Sequence, residues 1–262
     1  KKEIREAQNA GIDGFALSLP GWNVDPYWKQ RTHDMFQAAR ELDTGFKLFL
    51  APDLCCSLTS AEVVDMVKTY SSDPNYYHYN GKAMVITFVG SDKGEDFWRN
   101  GIIAPLVQSN IPILLLPYFD KQVSEWPSWW RELTDGQNYF AAGRIPVDLA
   151  SNGELLAQTM RDNNKLFMGG VSPYYWWART PAPSGRLYWE YNGGEGTEIQ
   201  WLSLIQKQKP AWVLITTWND FTESYISPVD TTDIINAPIA NGYNIRDLLK
   251  PHAAVLNYTK YF

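Results

Sequence analysis

The chain has 262 residues, of which 45% are hydrophobic and 15% aromatic, and its net charge at pH 7 is −6. The length is close to the roughly 250 residues of a single α/β barrel, so we expect one domain over residues 1–262. The acidic charge, without a cluster of Lys and Arg, argues against a nucleic-acid-binding protein. No apolar run reaches the roughly 18 residues that predict a membrane-spanning segment.

Five helices are predicted from the spacing of apolar residues. The chain opens on KKEIREAQNAG, which predicts a helix that ends at Gly11. Further helices are predicted over Asp25–Leu42, Thr59–Tyr70, Gly153–Arg161 and Glu198–Gln208. The helix near residue 60 should begin with a cap at Thr59 or Ser60, since Glu62 follows in its first turn.

Seven short apolar runs lie among these helices. They are Gly14–Leu19, Lys47–Ala51, Ala83–Val89, Ile111–Pro117, a weak run at Tyr139–Ala142, Leu166–Val171 and Trp212–Trp218. Continuous apolar runs of this length are typical of parallel strands that are buried on both faces. Strands that alternate with helices therefore indicate an α/β architecture with right-handed crossovers.

Seven strands are one fewer than a (β/α)8 TIM barrel requires, and the chain begins with a helix where a first strand should stand. Either strand 1 is missing from this chain, or the barrel closes with fewer strands. Strand number and shear are tightly linked in a closed barrel. We therefore favour a (β/α)8 barrel whose first strand is absent from the chain.

Reactive side chains in parallel barrels lie at the carboxyl ends of the strands. That rule selects Ser18, Trp22, Asp53, Asp92, Tyr118, Asp120, the stretch Tyr174–Trp177, Asp220 and Glu223. The three histidines, His33, His78 and His252, are expected on helices or linkers, which disfavours a zinc hydrolase and a Ser-His-Asp enzyme. The adjacent Cys55 and Cys56 fit no metal-ligand spacing, and we expect them to be buried as small apolar residues.

The segment WNDFTES, Trp218–Ser224, follows the last apolar run. Its two acidic residues, Asp220 and Glu223, are three positions apart, so a helical turn would point both to one side. Glycoside cleavage needs two such carboxyl groups. The alternative is that they only cap a following helix, where acidic residues are favoured, and spacing alone does not decide. The flanking Trp218 and Asn219 favour sugar binding.

Aromatic residues are abundant, with 12 Trp and 15 Tyr. Flat rings can stack on the C–H faces of sugars, but they can equally fill a core. Tyr118, Tyr174 and Trp176 are therefore candidates for both roles, and a loop-like WPSWW with Trp129 and Trp130 is left open. The carboxylate of Asp53, at a predicted strand end, is a candidate ligand of sugar hydroxyls.

The stretch VLITTWNDFTESYISP resembles the signature of glycoside hydrolase family 71, the endo-α-1,3-glucanases. The segments AQNAGIDGFALSLPGW, FKLFLAPDL, GKAMVITFVG, ILLLPYF and LFMGGVSPYYW resemble other blocks of that family, in the same order. Asp53 in FKLFLAPDL matches an aspartate of the family. A more distant similarity is to family 99, the endo-α-mannosidases, which carry a Glu-x-x-Glu pair at the equivalent place.

The resemblance implies a (β/α)8 barrel that hydrolyses α-1,3-glucan with inversion, with Glu223 as proton donor and Asp220 activating water. It implies a polysaccharide partner and a secreted or cell-wall location. We expect no metal or organic cofactor, since two carboxyl groups and water suffice for the reaction, and we expect a monomer. The stretch YFAAGRIPVD lacks the tryptophans of the family's SW-x-AWP motif. The substrate preference is therefore open, and the alternatives are a non-catalytic α-glucan-binding module or a hydrolase of α-mannan or another α-glycan.

Overall fold

The computed structural model describes residues 1–23, 25–55, 57–176, 188–189, 194–220, 223–229, 239–240 and 243–244. The chain forms two compact units. Unit 1 consists of Lys1–Gln8, Ile12–Asn138 and Thr159–Phe167, and unit 2 of Asn9–Gly11, Tyr139–Gln158 and Met168–Phe262.

Unit 1 contains three helices that the sequence predicts and three shorter helices that it does not. They are α1 (Lys2–Asn9), α2 (Pro26–Leu42), α3 (Ser60–Tyr70), α4 (Glu95–Trp98), α5 (Ala104–Gln108) and α6 (Trp130–Leu133), with a π-helical turn at Arg99–Ile103 and a 3-10 turn at Val123–Glu125. The predictions of α1, α2 and α3 are confirmed. The α3 cap is a capping box in which the Thr59 and Glu62 side chains each bind the other residue's backbone.

The first sheet lies in unit 1. Its strands are β1 (Gly14–Leu19), β2 (Lys47–Pro52), β3 (His78–Tyr79), β4 (Lys82–Ile86) and β5 (Ile113–Leu116). They run in the order β1-β2-β4-β3, with β5 also paired to β4. The pairs β1–β2, β2–β4 and β4–β5 are parallel, and β3 is antiparallel to β4. The apolar runs form strands here because both faces are covered, as in β4, which is buried from Ala83 to Ile86.

The strand β6 (Gly136–Asn138) begins three residues before the weak run predicted at residues 139–142 and ends directly before it. The predicted position of this strand is therefore wrong. Its polar residues are buried nonetheless. The Asn138 amide donates to the carbonyl oxygens of Thr87 and Leu116, at 3.1 and 2.6 Å. Side-chain bonds of this kind make a polar strand compatible with burial, and an apolar-run rule does not detect them.

Unit 2 contains most of α7 (Pro146–Asp162) and all of α8 (Glu195–Ser203), which continues into a π-helical turn at Leu204–Gln208. Both predicted helices are confirmed, although α7 begins seven residues before its predicted start at Gly153. The strand β7 (Leu166–Val171) begins in unit 1 and ends in unit 2, where it pairs in parallel with β10 (Trp212–Ile215). Three antiparallel pairs complete the described strands: β8 (Tyr175–Trp176) with β9 (Tyr188–Trp189), β11 (Asn219–Asp220) with β12 (Ser224–Tyr225), and β13 (Ile239–Ala240) with β14 (Tyr243–Asn244).

The tryptophans of WPSWW belong to the core of unit 1. Trp129 is 9% and Trp130 is 2% exposed. Trp129 packs edge-on against Phe119, with ring centroids 5.8 Å apart, and lies 6.0 Å from the ring of Trp98 on α4. These rings fill the layer between the sheet and its helices rather than form a surface platform.

The fold is therefore α/β with parallel sheets, as the alternating elements predict. None of the described helices is long and apolar enough to cross a bilayer.

Candidate active site

A tight β-hairpin follows the end of β10 in unit 2. Its strands β11 and β12 pair so that Asn219 lies opposite Tyr225 and Asp220 opposite Ser224. The Glu223 N–H donates to the Asp220 carbonyl oxygen at 3.2 Å, which closes the loop between the strands. Asp220 and Glu223 thus flank the loop, and both side chains are partly exposed.

The hairpin replaces the helical turn that the Asp-x-x-Glu spacing predicted. Residues 218–220 and 223–229 contain no helix, so the shared-helix-face argument and the helix-capping alternative are both wrong for this segment. The proximity of the two acidic residues comes from the turn instead, since residues joined by an i to i+3 bond have Cα atoms less than about 7 Å apart.

Two hydroxyl side chains hold the hairpin at its base. The Thr217 hydroxyl accepts from the Asp220 N–H at 2.8 Å and donates to the Ser224 carbonyl oxygen. The Ser224 hydroxyl donates to the Thr216 carbonyl oxygen at 2.8 Å. Hydroxyl groups that bind nearby backbone in this way compete with helix formation, in agreement with the extended backbone described at residues 219–220 and 224–225. No pattern in the sequence singles out either hydroxyl.

The side chains predicted to bind sugar around the hairpin are unequally exposed. Asn219 is exposed and Trp218 is partly exposed. Tyr174 is only 8% exposed, and its ring packs edge-on against Tyr225 of β12, with centroids 5.9 Å apart. This position favours packing over sugar contact for Tyr174. Trp176 lies on β8, and its side chain is outside the described part of the structure.

The loop after β7 is anchored by α8. The Gln200 side chain, 1% exposed, donates from Nε2 to the carbonyl oxygens of Ser172 and Gly196 and accepts at Oε1 from the Ser172 N–H, each at 2.9 Å. The Thr197 hydroxyl donates to the Pro173 carbonyl oxygen at 3.1 Å. One buried amide thus fixes both backbone groups of Ser172, two residues before Tyr174.

In unit 1, Asp53 and Tyr118 lie at the carboxyl ends of β2 and β5, the two parallel strands on either side of β4. Asp53 forms a parallel bridge with Phe88, just after β2 and β4 end. The Tyr118 N–H donates to the Thr87 carbonyl oxygen at 3.1 Å, which continues the β4–β5 ladder. Phe88 was missed as a candidate, although it belongs to the predicted run Ala83–Val89 and the strand-end rule applies to it equally.

Two residues on the shortlist have structural roles instead. Trp22 is fully buried and donates from Nε1 to Asp65 Oδ2 at 2.7 Å. Asp92 is exposed and forms an ion pair with Lys121. The Lys121 pKa is raised, first by the hydrogen bond from its ammonium to Asp92 and then by the charge of that carboxylate. Exposed pairs of this kind contribute little to stability.

Histidine and cysteine are not part of the candidate site. His33 lies on α2, and His78 lies on β3 rather than on a linker, while His252 is outside the described residues. Cys55 is exposed rather than buried as expected, because it occupies the turn after β2, where its N–H donates to Asp53 Oδ1 at 3.0 Å. Cys56 is outside the described residues. Within the described ranges, no group of three His, Cys, Asp or Glu side chains could hold a metal ion.

Glycoside cleavage uses a pair of carboxyl groups, and active sites of parallel barrels lie at the carboxyl ends of strands. The chain belongs to glycosyl hydrolase family 71, whose family model matches residues 1–262. The resemblance detected in the sequence is thereby confirmed.

Two curated relatives come from Schizosaccharomyces pombe. Glucan endo-1,3-alpha-glucosidase agn1 is 25% identical over 239 residues, which cover 86% of this chain and 53% of the relative. The ascus wall endo-1,3-alpha-glucanase is 24% identical over 252 residues, covering 88% of this chain and 54% of the relative. The chain thus spans about half the length of the curated relatives it matches.

A solved structure shares the fold. The GH99 endo-alpha-mannosidase from Bacteroides thetaiotaomicron, in complex with bis-tris-propane, superposes with a TM-score of 0.76 at 19% identity, covering 99% of this chain and 81% of that chain. At this identity the likeness concerns the fold alone.

Proposed function

We propose that the chain is the catalytic part of an enzyme that hydrolyses α-1,3-glucan, built on a (β/α)8 barrel. The observation that carries the proposal is the β11–β12 hairpin, which presents Asp220 and Glu223 together at the carboxyl end of β10. Membership of family 71 and the names of the two relatives support the α-1,3-glucan substrate. Parallel strands that alternate with helices support the barrel.

In the proposed reaction, Glu223 gives its proton to the departing glycosidic oxygen. Asp220 accepts a proton from the water that attacks the anomeric carbon on the opposite face of the sugar. The product therefore has the inverted configuration, which requires carboxyl groups about 6.5–9.5 Å apart, with room for the water between them. The two residues flank one loop on flexible side chains of unequal length, and this arrangement is compatible with such a separation.

Other residues of each unit are candidates for sugar contact. On the hairpin, the exposed Asn219 and the partly exposed Trp218 bind the substrate near the reacting bond, and Trp176 contributes an aromatic surface. In unit 1, Asp53 accepts hydrogen bonds from sugar hydroxyls. Tyr174 acts indirectly, by supporting Tyr225 of the hairpin. No metal or organic cofactor takes part, since two carboxyl groups and water suffice for this reaction.

The first test replaces each carboxyl group with its amide, in Asp220→Asn and Glu223→Gln. Each change should lower the rate of reducing-sugar release from α-1,3-glucan by about 10²–10⁴-fold, the usual contribution of acid–base catalysis. Glu198→Gln, an exposed carboxylate on α8, is the matched control and should keep full activity. Circular dichroism should show the same fold in all three variants. Substantial turnover in both amide variants would rule out the assignment.

Two further measurements separate the proposal from its alternatives. Proton NMR of the first product should show the inverted anomer, whereas retention would favour a mechanism like that of the related mannosidases. A panel of α-glucans and α-mannan identifies the polymer that is cleaved. Binding of α-1,3-glucan by the unmutated chain, without any reducing ends, would indicate a non-catalytic module instead.

We place the enzyme outside the cell or in the cell wall, acting as a monomer. The relative named for the ascus wall supports this location, as does the sequon Asn257-Tyr258-Thr259.

A further inference from the structure

Three side chains stand in a row across neighbouring strand ends of unit 1. Asp53 is bridged to Phe88 across β2 and β4. The β4–β5 register pairs Ile86 with Leu116, so two residues further on Phe88 lies beside Tyr118. The rings of Phe88 and Tyr118 are nearly parallel, with an interplanar angle of 20° and centroids 6.0 Å apart. We call Asp53, Phe88 and Tyr118 the strand-end row.

The row faces away from the helices that cover the sheet. Successive residues of an extended chain point to opposite faces, and the next residues, Leu54 and Phe119, are both buried on the helix side. Phe119 packs against Trp126 and Trp129 there, and the Leu54 side chain lies beside Gly90, near Trp98 of α4. Asp53, Phe88 and Tyr118 therefore project from the other face, and each remains partly exposed.

The backbone at the row is held in an uncommon conformation. Val89, directly after Phe88, has φ 49°, and Gly90 has φ 136°. A positive φ is an outlier for a β-branched residue such as Val, and such residues persist where the surroundings enforce them, commonly at ligand sites. Gly90 is required here, because a Cβ atom would lie 2.9 Å from Cζ2 of Trp98.

Two polar contacts connect the loops that follow the two rings. The Ser91 hydroxyl donates to Asp120 Oδ1 at 2.5 Å, and the Lys121 ammonium donates to Asp92. Each contact joins the loop after β4 to the loop after β5, within four residues of a ring. A preformed aromatic surface loses little freedom when a ligand binds, and this raises affinity.

From this geometry we propose that the strand-end row binds one glucosyl unit of the substrate. The rings of Phe88 and Tyr118 take the C–H face of the sugar, and the Asp53 carboxylate accepts hydrogen bonds from its hydroxyls. Among the described residues, the Cys55 N–H occupies one acceptor position of Asp53 Oδ1, and a carboxylate offers about four. Aromatic walls with a few placed polar groups are the usual composition of a ligand site. The subsite rests on the proposed glucan-cleaving function and assigns Phe88 a role within it.

The test measures binding of α-1,3-linked gluco-oligosaccharides by isothermal titration calorimetry. It uses the full chain with Asp220→Asn, so that the sugar is not cleaved during the titration. Adding Phe88→Leu or Tyr118→Leu keeps an apolar side chain but removes the flat ring, and each should weaken binding about tenfold, as for loss of an aromatic anchor. Phe88→Tyr and Tyr118→Phe keep the ring and should bind within about twofold of the parent. In the active chain, the Leu variants should raise KM and leave kcat nearly unchanged.

Tyr79→Leu is the matched control, since Tyr79 is a partly exposed tyrosine on β3, at the amino end of β4; it should bind like the parent. The proposal is overturned if the Leu variants bind like the parent, or if the ring-keeping variants lose as much affinity as the Leu variants. It is equally overturned if no oligosaccharide binds to the parent. Ring-dependent binding by a chain that releases no sugar would support the subsite and overturn the proposed hydrolysis, so the two failures are distinguishable.

Discussion

At the scale of single residues, the hairpin that carries Asp220 and Glu223 depends on two hydroxyl groups. Thr217 accepts a hydrogen bond from the Asp220 N–H and donates one to the Ser224 carbonyl oxygen. Because Ser224 is 1% exposed, water cannot easily replace these bonds. The hydroxyls therefore position the backbone of Asp220, and this position determines where the Asp220 side chain begins.

Thr217→Val tests this role, because it keeps the shape of the side chain and removes its hydroxyl. We expect the free energy of unfolding to fall by about 1–3 kcal/mol, since the Asp220 N–H and the Ser224 carbonyl oxygen both lose a partner. The value of kcat should fall further than this loss explains, because a shift of about 1 Å in a catalytic group can cost about 100-fold. Urea unfolding and initial rates on α-1,3-glucan measure the two effects. Thr217→Ser restores the hydroxyl and should recover both, and equal losses in the two variants would contradict this role.

At this scale the sequence selected candidates for the site. The carboxyl-end rule selected Asp53, Tyr118, Asp220 and Glu223, because it depends only on where an apolar run stops. The same rule also selected Trp22, which is a core residue. The burial of a side chain cannot be read from its place after an apolar run. Hydroxyl contacts such as those of Thr217 depend on a turn geometry that the residue order does not show.

At the scale of secondary-structure elements, the start of α8 positions the loop after β7. Gln200 binds both backbone groups of Ser172, and this loop continues to Tyr174, which packs against Tyr225 of the hairpin. A physical chain of contacts thus connects a helix that carries no proposed catalytic group to the strand β12. Gln200 is therefore a residue that positions the loop after β7.

Gln200→Met tests this connection, because Met has a similar length and cannot form the three hydrogen bonds. The unpaired groups of Ser172 should lower the free energy of unfolding by about 1–3 kcal/mol, and kcat should fall while the KM for α-1,3-glucan changes little. Chemical unfolding and steady-state kinetics provide the readouts. Gln206→Met, at an exposed position in the following π-helical turn, is the control and should change neither quantity. A stable Gln200→Met variant with normal kcat would show that the loop does not need this anchor.

Elements were predictable where one physical pattern dominated. The strands β1 and β7 have the predicted bounds, and α2 begins one residue after its predicted start at Asp25, which caps it, because apolar runs act locally. The prediction failed at β6, where burial is satisfied by the side chain of Asn138. It also failed after β10, where i,i+3 spacing is common to helices and turns and only tertiary contacts decide between them.

At the scale of the whole molecule, each unit contains a carboxylate that folding keeps ionised. In unit 1, hydrogen bonds to the Glu62 carboxylate, first from the Thr59 N–H and then from the Asn23 N–H and Thr59 hydroxyl, lower its pKa by more than burial raises it. In unit 2, burial raises the pKa of Glu154, but the hydrogen bonds from Lys207 and Ser203 lower it by more.

These directions give the sign of the acid dependence. A carboxyl group whose pKa is lower in the folded state stabilises the fold above its unfolded pKa, about 4.3 for Glu, and this stability is lost as the pH falls through the folded value. We therefore expect the free energy of unfolding to decrease as the pH is lowered from about 5 towards 3.

Comparison of Glu62→Gln with the unmutated chain isolates the contribution of the Glu62 carboxylate to the pH dependence of stability. The variant cannot ionise at this position, so it should be less stable at pH 7, and the difference should narrow as the pH approaches 3, where Glu62 of the parent becomes protonated. Urea unfolding at pH 7, 5, 4 and 3 measures it. Thr59→Ala removes the capping hydroxyl and leaves the carboxyl group in place, and it should cost about 0.5–2 kcal/mol at pH 7 while the acid-dependent loss persists. A Glu62→Gln deficit of the same size at pH 7 and pH 3 would mean that this carboxylate contributes no acid dependence.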